Sequence, residues 1–360
     1  MPTLQEITRQ LLSYPREAGT IGATTARDLV ASHLRQLGYS VTVQKFTFAP
    51  ASLMAFPIFG AGLGALALVV FPFLSSDRLP AWGALAASVV GLLALGIVAA
   101  GVGLGWVSLG EAPREDANLI ATRSPEPPRR WIVAHLDTKA QGHSMAGRLV
   151  AVWLTGLSIA GLTILALLRL RGVLPITGIA LGTIAALLAG VLAGRGRLRG
   201  RSQGARDNGT GIVAALTAAE ATSDPRIGLL ITGAEEFGLV GARVFARLGV
   251  GSADAEFVNL DTLDQEGTLY IVSHNARGER LARQLEPGLL RLGLPLRRRR
   301  LPLGIFVDSA PLAQAGVGSV TIGRLTWNTL RRIHTTGDTP DGLSLELAER
   351  VGRTVAQIDL

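Results

Sequence analysis

Trp131-Ile132-Val133-Ala134-His135-Leu136-Asp137 is a short apolar run that ends on a histidine and an aspartate two positions apart. Four consecutive apolar residues predict a strand buried on both faces, because a half-exposed strand would alternate with polar residues. The pattern recurs outward from this stretch. Ile227 to Thr232 runs into Gly233-Ala234-Glu235-Glu236, and Phe257-Val258-Asn259-Leu260 runs into Asp261. Asp207 stands just before a predicted helix, and His334 lies in the loop Ile333-His334-Thr335-Thr336-Gly337-Asp338. One histidine after a strand says little, and adjacent glutamates are usually a solvated turn. Five such side chains at the ends of separate buried segments point to a site, since α/β sheets collect chemistry where strands end.

Periodicity fills in the rest. Helices are predicted at 4–12, 26–37, 210–221, 239–248, 278–292 and 343–358. Strands are predicted at 41–48, 117–122, 130–134, 227–232, 256–260, 268–273, 297–301 and 319–323. Strands alternating with helices predict an α/β three-layer sandwich around a mixed, mostly parallel central sheet.

The composition adds a second character. Hydrophobic residues make up 48% of the chain and charged residues only 17%. The excess sits in four charge-free stretches, 46–76, 79–110, 149–168 and 172–194. Each meets the roughly 20 residues that a helix needs to cross a hydrocarbon core, whereas buried helices of water-soluble proteins rarely run so far without a charge. Ser75 to Pro80 and Arg169 to Gly172 turn them into two hairpins, so all polar segments fall on one side of a lipid bilayer. Gly60/Gly64 and Gly101/Gly105 have the four-residue spacing of close helix packing. The expected organisation is a domain built from 1–48, 111–148 and 195–360, interrupted by transmembrane hairpins at 49–110 and 149–194.

Arg35, Lys45, Arg148, Arg195, Arg197, Arg199 and Arg201 flank the spans on the polar side, against Arg78, Arg169 and Arg171 in the turns. That bias predicts that the polar domain lies in the cytoplasm. Met1 to Leu12 carries charges and no apolar core, unlike a cleavable signal. The net charge of +8 is almost wholly arginine, with Lys45 and Lys139 the only lysines. No aromatic-basic interleaving accompanies it, so anionic lipid explains the basic run after the fourth span better than nucleic acid does. Arg297 to Arg300 read as a solvated face or lipid contact, His33 as structural, and His143 as a candidate for a substrate loop. The absence of cysteine excludes disulfides and thiolate ligands.

His135, Asp207, Glu236, Asp261 and His334 thus form a nitrogen and oxygen donor set. Its carboxylates supply about three negative charges, enough to neutralise most of two divalent cations and a hydroxide. Such donors suit zinc, with cobalt or manganese as alternatives.

These residues carry a resemblance to the M28 family of di-zinc peptidases, of the bacterial aminopeptidase type. It rests on Ala134-His135-Leu136-Asp137-Thr138, Gly204 to Gly211, Gly233 to Leu239, Asn259-Leu260-Asp261 and Ile333 to Thr339. The resemblance implies that Asp207 bridges two zinc ions, that His135 and Asp261 complete one, and that Glu236 and His334 complete the other. It makes Glu235 the general base towards the bridging water, and Asp137 the acceptor that fixes the His135 ring. Asp338 would act similarly near His334. Peptide substrates and aminopeptidase activity follow as expectations. Two departures stand out: a hairpin separates His135 from Asp207, and Val307-Asp308-Ser309-Ala310-Pro311 lacks the histidine of the family's Ser-Asp-His-like segment.

Competing readings are a carboxyl-end exopeptidase, a glutaminyl cyclase, a related M20 hydrolase, or a non-catalytic membrane scaffold. Cyclases go with a single zinc, M20 enzymes need a lid for which 261–334 leaves little room, and a relic fold should have lost ligands. A hairpin leaving from a ligand-bearing loop also predicts an active site near the bilayer surface, favouring hydrophobic peptides.

Overall fold

The all-apolar run around Val133 lies in the interior of an eight-stranded sheet. The structure, a computed structural model, describes residues 3–249 and 254–359. It begins with helices α1 (Leu4–Leu11) and α2 (Ile21–Gln36), strand β1 (Ser40–Phe48) and two long helices, α3 (Ala55–Ser75) and α4 (Ala81–Gly103). Strands β2 (Arg114–Thr122) and β3 (Arg130–His135) precede a second long pair, α5 (Met145–Leu170) and α6 (Ile176–Gly194). Then come α7 (Thr210–Ala221), β4 (Ile227–Thr232), α8 (Val240–Arg247), β5 (Glu256–Leu263), β6 (Thr268–Ser273) and α9 (Ala276–Leu290). The chain continues through β7 (Leu296–Arg299), α10 (Ser309–Gln314), β8 (Gly318–Leu325), α11 (Trp327–Arg332) and α12 (Glu346–Gln357).

Two compact units emerge. One comprises residues 1–48, 113–140 and 200–360, the other 49–112 and 141–199. In the first, the strand order is β1-β2-β4-β3-β5-β8-β6-β7. The β3–β4, β3–β5, β5–β8 and β6–β7 pairs are parallel, while β1–β2, β2–β4 and β6–β8 are antiparallel. This is the mixed, mostly parallel sheet that the strand and helix alternation predicts.

Side-chain alternation along β3 explains the layers. Ile132 and Ala134 point into a core shared with α1, α2, α7, α9 and α12, through Leu11, Val30, Ile212, Leu285 and Val351. Trp131 and Val133 point the other way, against Phe245 of α8 and Leu312 of α10. There the Trp131 ring lies 5.4 Å from Phe245 and 6.1 Å from Phe257, centroid to centroid. Each side chain of this size removed from water contributes about 1.5–3 kcal/mol, so burial on both faces holds β3 firmly. Its carboxyl end, with those of β4 and β5, carries the candidate ligands His135, Glu236 and Asp261.

The second unit holds four helices long and apolar enough to cross a membrane, at 50–75, 81–103, 145–170 and 176–194. The protein buries only 17–33% of their most apolar windows. Val90, Leu93, Ile97, Leu157, Leu181 and Val191 all face outward. A helix set of this kind needs an apolar surrounding other than its own core. Gly60 and Gly64 lie in the seam between α3 and α6: a methyl on Gly60 would strike the Ala193 side chain at 2.1 Å. Gly105 differs from the packing expected of it. It follows the α4 cap residue Leu104 at φ +75°, the left-handed stop that glycine supplies at helix ends.

Other differences from expectation have local causes. α5 begins at Met145, ahead of the charge-free run, because Ser144 caps it through the Gly147 amide and Arg148 is tolerated in the first turn. α10 and α11 span six residues each, too few to show a helical period. Arg297, Arg298 and Arg299 form the exposed edge strand β7, where Arg298 pairs with Glu279 and Glu286. Charge on an edge strand deters further strand pairing.

Candidate metal centre

The five candidate ligands and Glu235 all come together in the first unit. His135, Glu235 and Asp261 each offer an atom within 4.8 Å of the others, and so do Asp207, Glu236 and His334. Asp207 joins the two groups. Its Oδ1 lies 3.2 Å from His135 Nε2, and its Oδ2 lies 3.1 Å from His334 Nε2. Asp261 Oδ1 is 3.9 Å from the same His135 nitrogen, and Glu236 Oε2 is 3.3 Å from His334 Nε2. One carboxylate thus faces two imidazoles, each with a further carboxylate beside it.

The backbone is bent to achieve this. Ala234, Leu239, Thr262 and His334 have positive φ, uncommon for residues with side chains, and each belongs to or flanks a ligand loop. Asp261 was expected in a loop after its strand. Instead β5 continues to Leu263, with a register shift between Leu260 and Leu263 that turns Asp261 toward the site. Gly211 is obligatory here, since a methyl would come within 2.2 Å of the Asn208 Oδ1 and the Leu260 carbonyl.

Two buried aspartates organise main chain around the site. Asp137 was expected to fix His135; its carboxylate lies 3.7 Å from the His135 Nδ1 and also accepts the amide hydrogens of Glu235 and Glu236 at 3.0 and 3.1 Å. The His135 Nδ1 lies nearer the Asp137 carbonyl, 3.1 Å, than its carboxylate, 3.7 Å. Asp338 likewise accepts the amides of Arg206 and Asp207, at 2.9 and 3.1 Å, rather than contacting His334. Burial pushes the Asp338 carboxyl up to about 6. The Asn208 side chain donates to the Leu260 carbonyl and accepts from Thr262 and Gly211, tying the Asp207 loop to the Asp261 strand.

Arg16, unsuspected from sequence, is fully buried. It donates to the carbonyls of Leu11, Leu136, Gln203 and Gly204 at 2.7–3.0 Å. Its own amide donates to Thr138 Oγ1, and that hydroxyl donates to the Ser202 carbonyl. The strands of chain that leave toward α5 and return from α6 are therefore closed at their root by one guanidinium. Burial pulls Arg16 down to about 10, so it remains charged at neutral pH. Arg16→Ala orphans four buried carbonyls. It is expected to destabilise the full chain by about 3 kcal/mol or more, read by denaturant melts, with Arg16→Lys recovering only part. An unchanged midpoint would refute this.

The electrostatics test whether the donors suit cations. Burial pushes Asp207 up, but hydrogen bonds from His135 and His334 outweigh it and hold the group far below its ordinary range. Burial pulls the His135 ring down, but Glu235, Asp137, Asp207 and Asp261 hold it well above its usual value. Glu235 is driven well above the carboxylate range by burial, which the His135 charge opposes and Glu236, Asp308 and Asp261 reinforce. Glu236 Oε1 and His334 Nδ1 are buried without a hydrogen-bond partner. Clustered carboxylates, imidazole nitrogens facing them and an orphaned carboxylate oxygen fit metal ions.

Of the other histidines, His33 of α2 lies 3.2 Å from Glu220. His143 belongs to the unit of long helices, and His274 bonds to Ser309 at 2.8 Å. Asp308 is buried against Thr232, and burial pushes it up to about 7.

The sheet order and this donor set define a zinc-exopeptidase-like domain. Residues 186–359 match the model of Peptidase family M28. The match takes in every proposed ligand except His135. Among solved structures, an aminopeptidase from Aneurinibacillus sp. strain AM-1 aligns over 99% of this chain and 93% of that one, at 15% identity and TM-score 0.58. A zinc aminopeptidase from Bacillus subtilis aligns over 98% and 93%, at 17% identity and TM-score 0.58. A glutaminyl cyclase from Fimbriiglobus ruber aligns over 99% and 94%, at 14% identity and TM-score 0.55. At such identities the likeness is one of fold. No curated protein matches in sequence.

Proposed function

We propose that this chain is a membrane-embedded zinc exopeptidase, an aminopeptidase that removes residues from peptide N-termini. The observation that carries the reading is Asp207, whose two carboxylate oxygens face His135 and His334 separately. His135, Asp207 and Asp261 would hold one zinc ion, and Asp207, Glu236 and His334 the other. When bound, the ions supply Lewis acidity toward the scissile carbonyl and acidify the attacking water.

The chain's own groups do the rest. Glu235 is fixed through its amide, leaving its carboxylate free of structural duty. It takes the proton of the attacking water and returns it to the leaving amine. Asp137 keeps Glu235 and Glu236 oriented apart, so that one neighbour binds metal while the other moves the proton. Asp338 and Asn208 hold Asp207 in its two-sided position.

The four outward-apolar helices support the membrane reading, and the arginines at their ends support a cytoplasmic catalytic unit. A periplasmic signal from a reporter fused after Leu360 would overturn that orientation. The aminopeptidases and the cyclase named above share the fold, so the assay must separate them. Purified full chain in detergent should hydrolyse aminoacyl p-nitroanilides. It should leave N-blocked and carboxyl-end substrates intact, and form no pyroglutamate from N-terminal glutamine. Cyclisation without hydrolysis would sink the peptidase assignment.

A further inference from the structure

Lys139 is one of two lysines in a chain that otherwise uses arginine. It is buried, an uncommon position for lysine unless it is paired. Its Nζ lies 2.6 Å from Glu236 Oε2, with both side chains 3% exposed, and 3.4 Å from the Glu236 carbonyl. His334 Nε2 approaches the same Oε2 to 3.3 Å, whereas Oε1 has no partner. The ammonium is thus built into one half of the centre. Among the described residues no ammonium or guanidinium pairs with His135 or Asp261, and the ion pairs of His135 are all with carboxylates.

The placement is anchored. Thr138, immediately before it, is pinned to Ser202 and to Arg16 from both sides. A lysine carries a compact point charge that fits beside a single carboxylate oxygen, where the wide guanidinium fork of arginine would need more room. A charged ammonium has no lone pair, so it cannot ligate metal. It can only compete electrostatically for the carboxylate, and in a dry site such repulsion is poorly screened.

We propose that Lys139 is a resident counter-cation of the Glu236–His334 position and makes the two metal positions unequal. The ion at His135, Asp207 and Asp261 is held tightly. The ion at Glu236 and His334 shares its carboxylate with Lys139 and exchanges with free metal. The proposal rests on the two-ion reading above and adds a device to it: the doubly loaded centre becomes dependent on metal supply.

The test is equilibrium dialysis of chelator-stripped full chain in detergent against buffered Zn²⁺, with elemental analysis and a parallel Co²⁺ absorption titration. Wild type should take up one ion tightly and a second about 10–100-fold more weakly. Lys139→Gln and the similarly sized Lys139→Met should bring the second affinity up by about tenfold or more. Thermal melts of the stripped proteins check that each variant is folded. Two ions of equal affinity in wild type would overturn the proposal without any variant, as would an unchanged weak site in both neutral variants. Failure of the underlying reading looks different: no uptake at all, or uptake indifferent to His135→Ala and His334→Ala.

Discussion

Glu235→Gln is expected to lower kcat by about 10²–10⁴-fold, the range that a positioned general base contributes. Glutamine keeps the side chain's shape and leaves the amide contact with Asp137 untouched, since that bond is made by backbone. The substitution removes only the ability to accept and return a proton. Metal uptake should remain at the wild-type level because the five ligands are elsewhere. Burial among Glu236, Asp308 and Asp261 already disfavours the Glu235 charge, so the neutral isostere should not lower the melting temperature of the stripped protein. Turnover within tenfold of wild type, with metal retained, would remove Glu235 from the mechanism.

Asp207→Asn should be the most damaging single ligand change. An asparagine offers one carbonyl oxygen where the carboxylate offers two, and each of those faces a different histidine. Both ion positions should weaken together, whereas His334→Ala should spare the other. Turnover should fall by about three orders of magnitude or more, as loss of charge stabilisation at a reacting centre does. Stability gives a second readout. Ligands that bind only the folded state stabilise it, by about 2.7 kcal/mol at a hundredfold excess over Kd. Chelation should therefore lower the melting temperature of wild type, and zinc should restore it. Neither treatment should move Asp207→Asn. A variant still stabilised by zinc would show that Asp207 does not join the two positions.

The buried strands were legible because burial on both faces leaves an unbroken apolar run, as at 131–134 and 227–232, and a polar residue after such a run marks where the strand emerges. The candidate ligands His135, Glu236 and Asp261 were legible for the same reason, whereas Asp207 before α7 and His334 after α11 were legible only through the resemblance of their motifs. The supports were not. The Arg16 guanidinium works through carbonyl oxygens of residues up to 188 positions away in sequence, and no side-chain pattern encodes a carbonyl's position. Asp137 and Asp338 look like partners for histidines in the linear text, but each takes two consecutive amides from a segment brought in by tertiary packing. Lys139 did leave a trace, as a rare lysine beside a ligand motif. Its ion pair with Glu236 depends on the meeting of two loops 97 residues apart.

The sheet order has a consequence for how the chain is made. β2 and β3 adjoin in sequence but not in the sheet; β4 lies between them and is synthesised after all four long helices. A nascent chain that has emerged as far as α6 owns both hairpins but no continuous sheet, because β2 and β3 have no edge in common. Under the membrane reading, the ribosome delivers every span to the bilayer before the strand that zips the sheet exists. His135 then waits, without Asp207, until the helices are in place. The candidate donor set is thereby completed only after all four long helices have been synthesised, and a chain cut short before Asp207 lacks the carboxylate that joins its two halves.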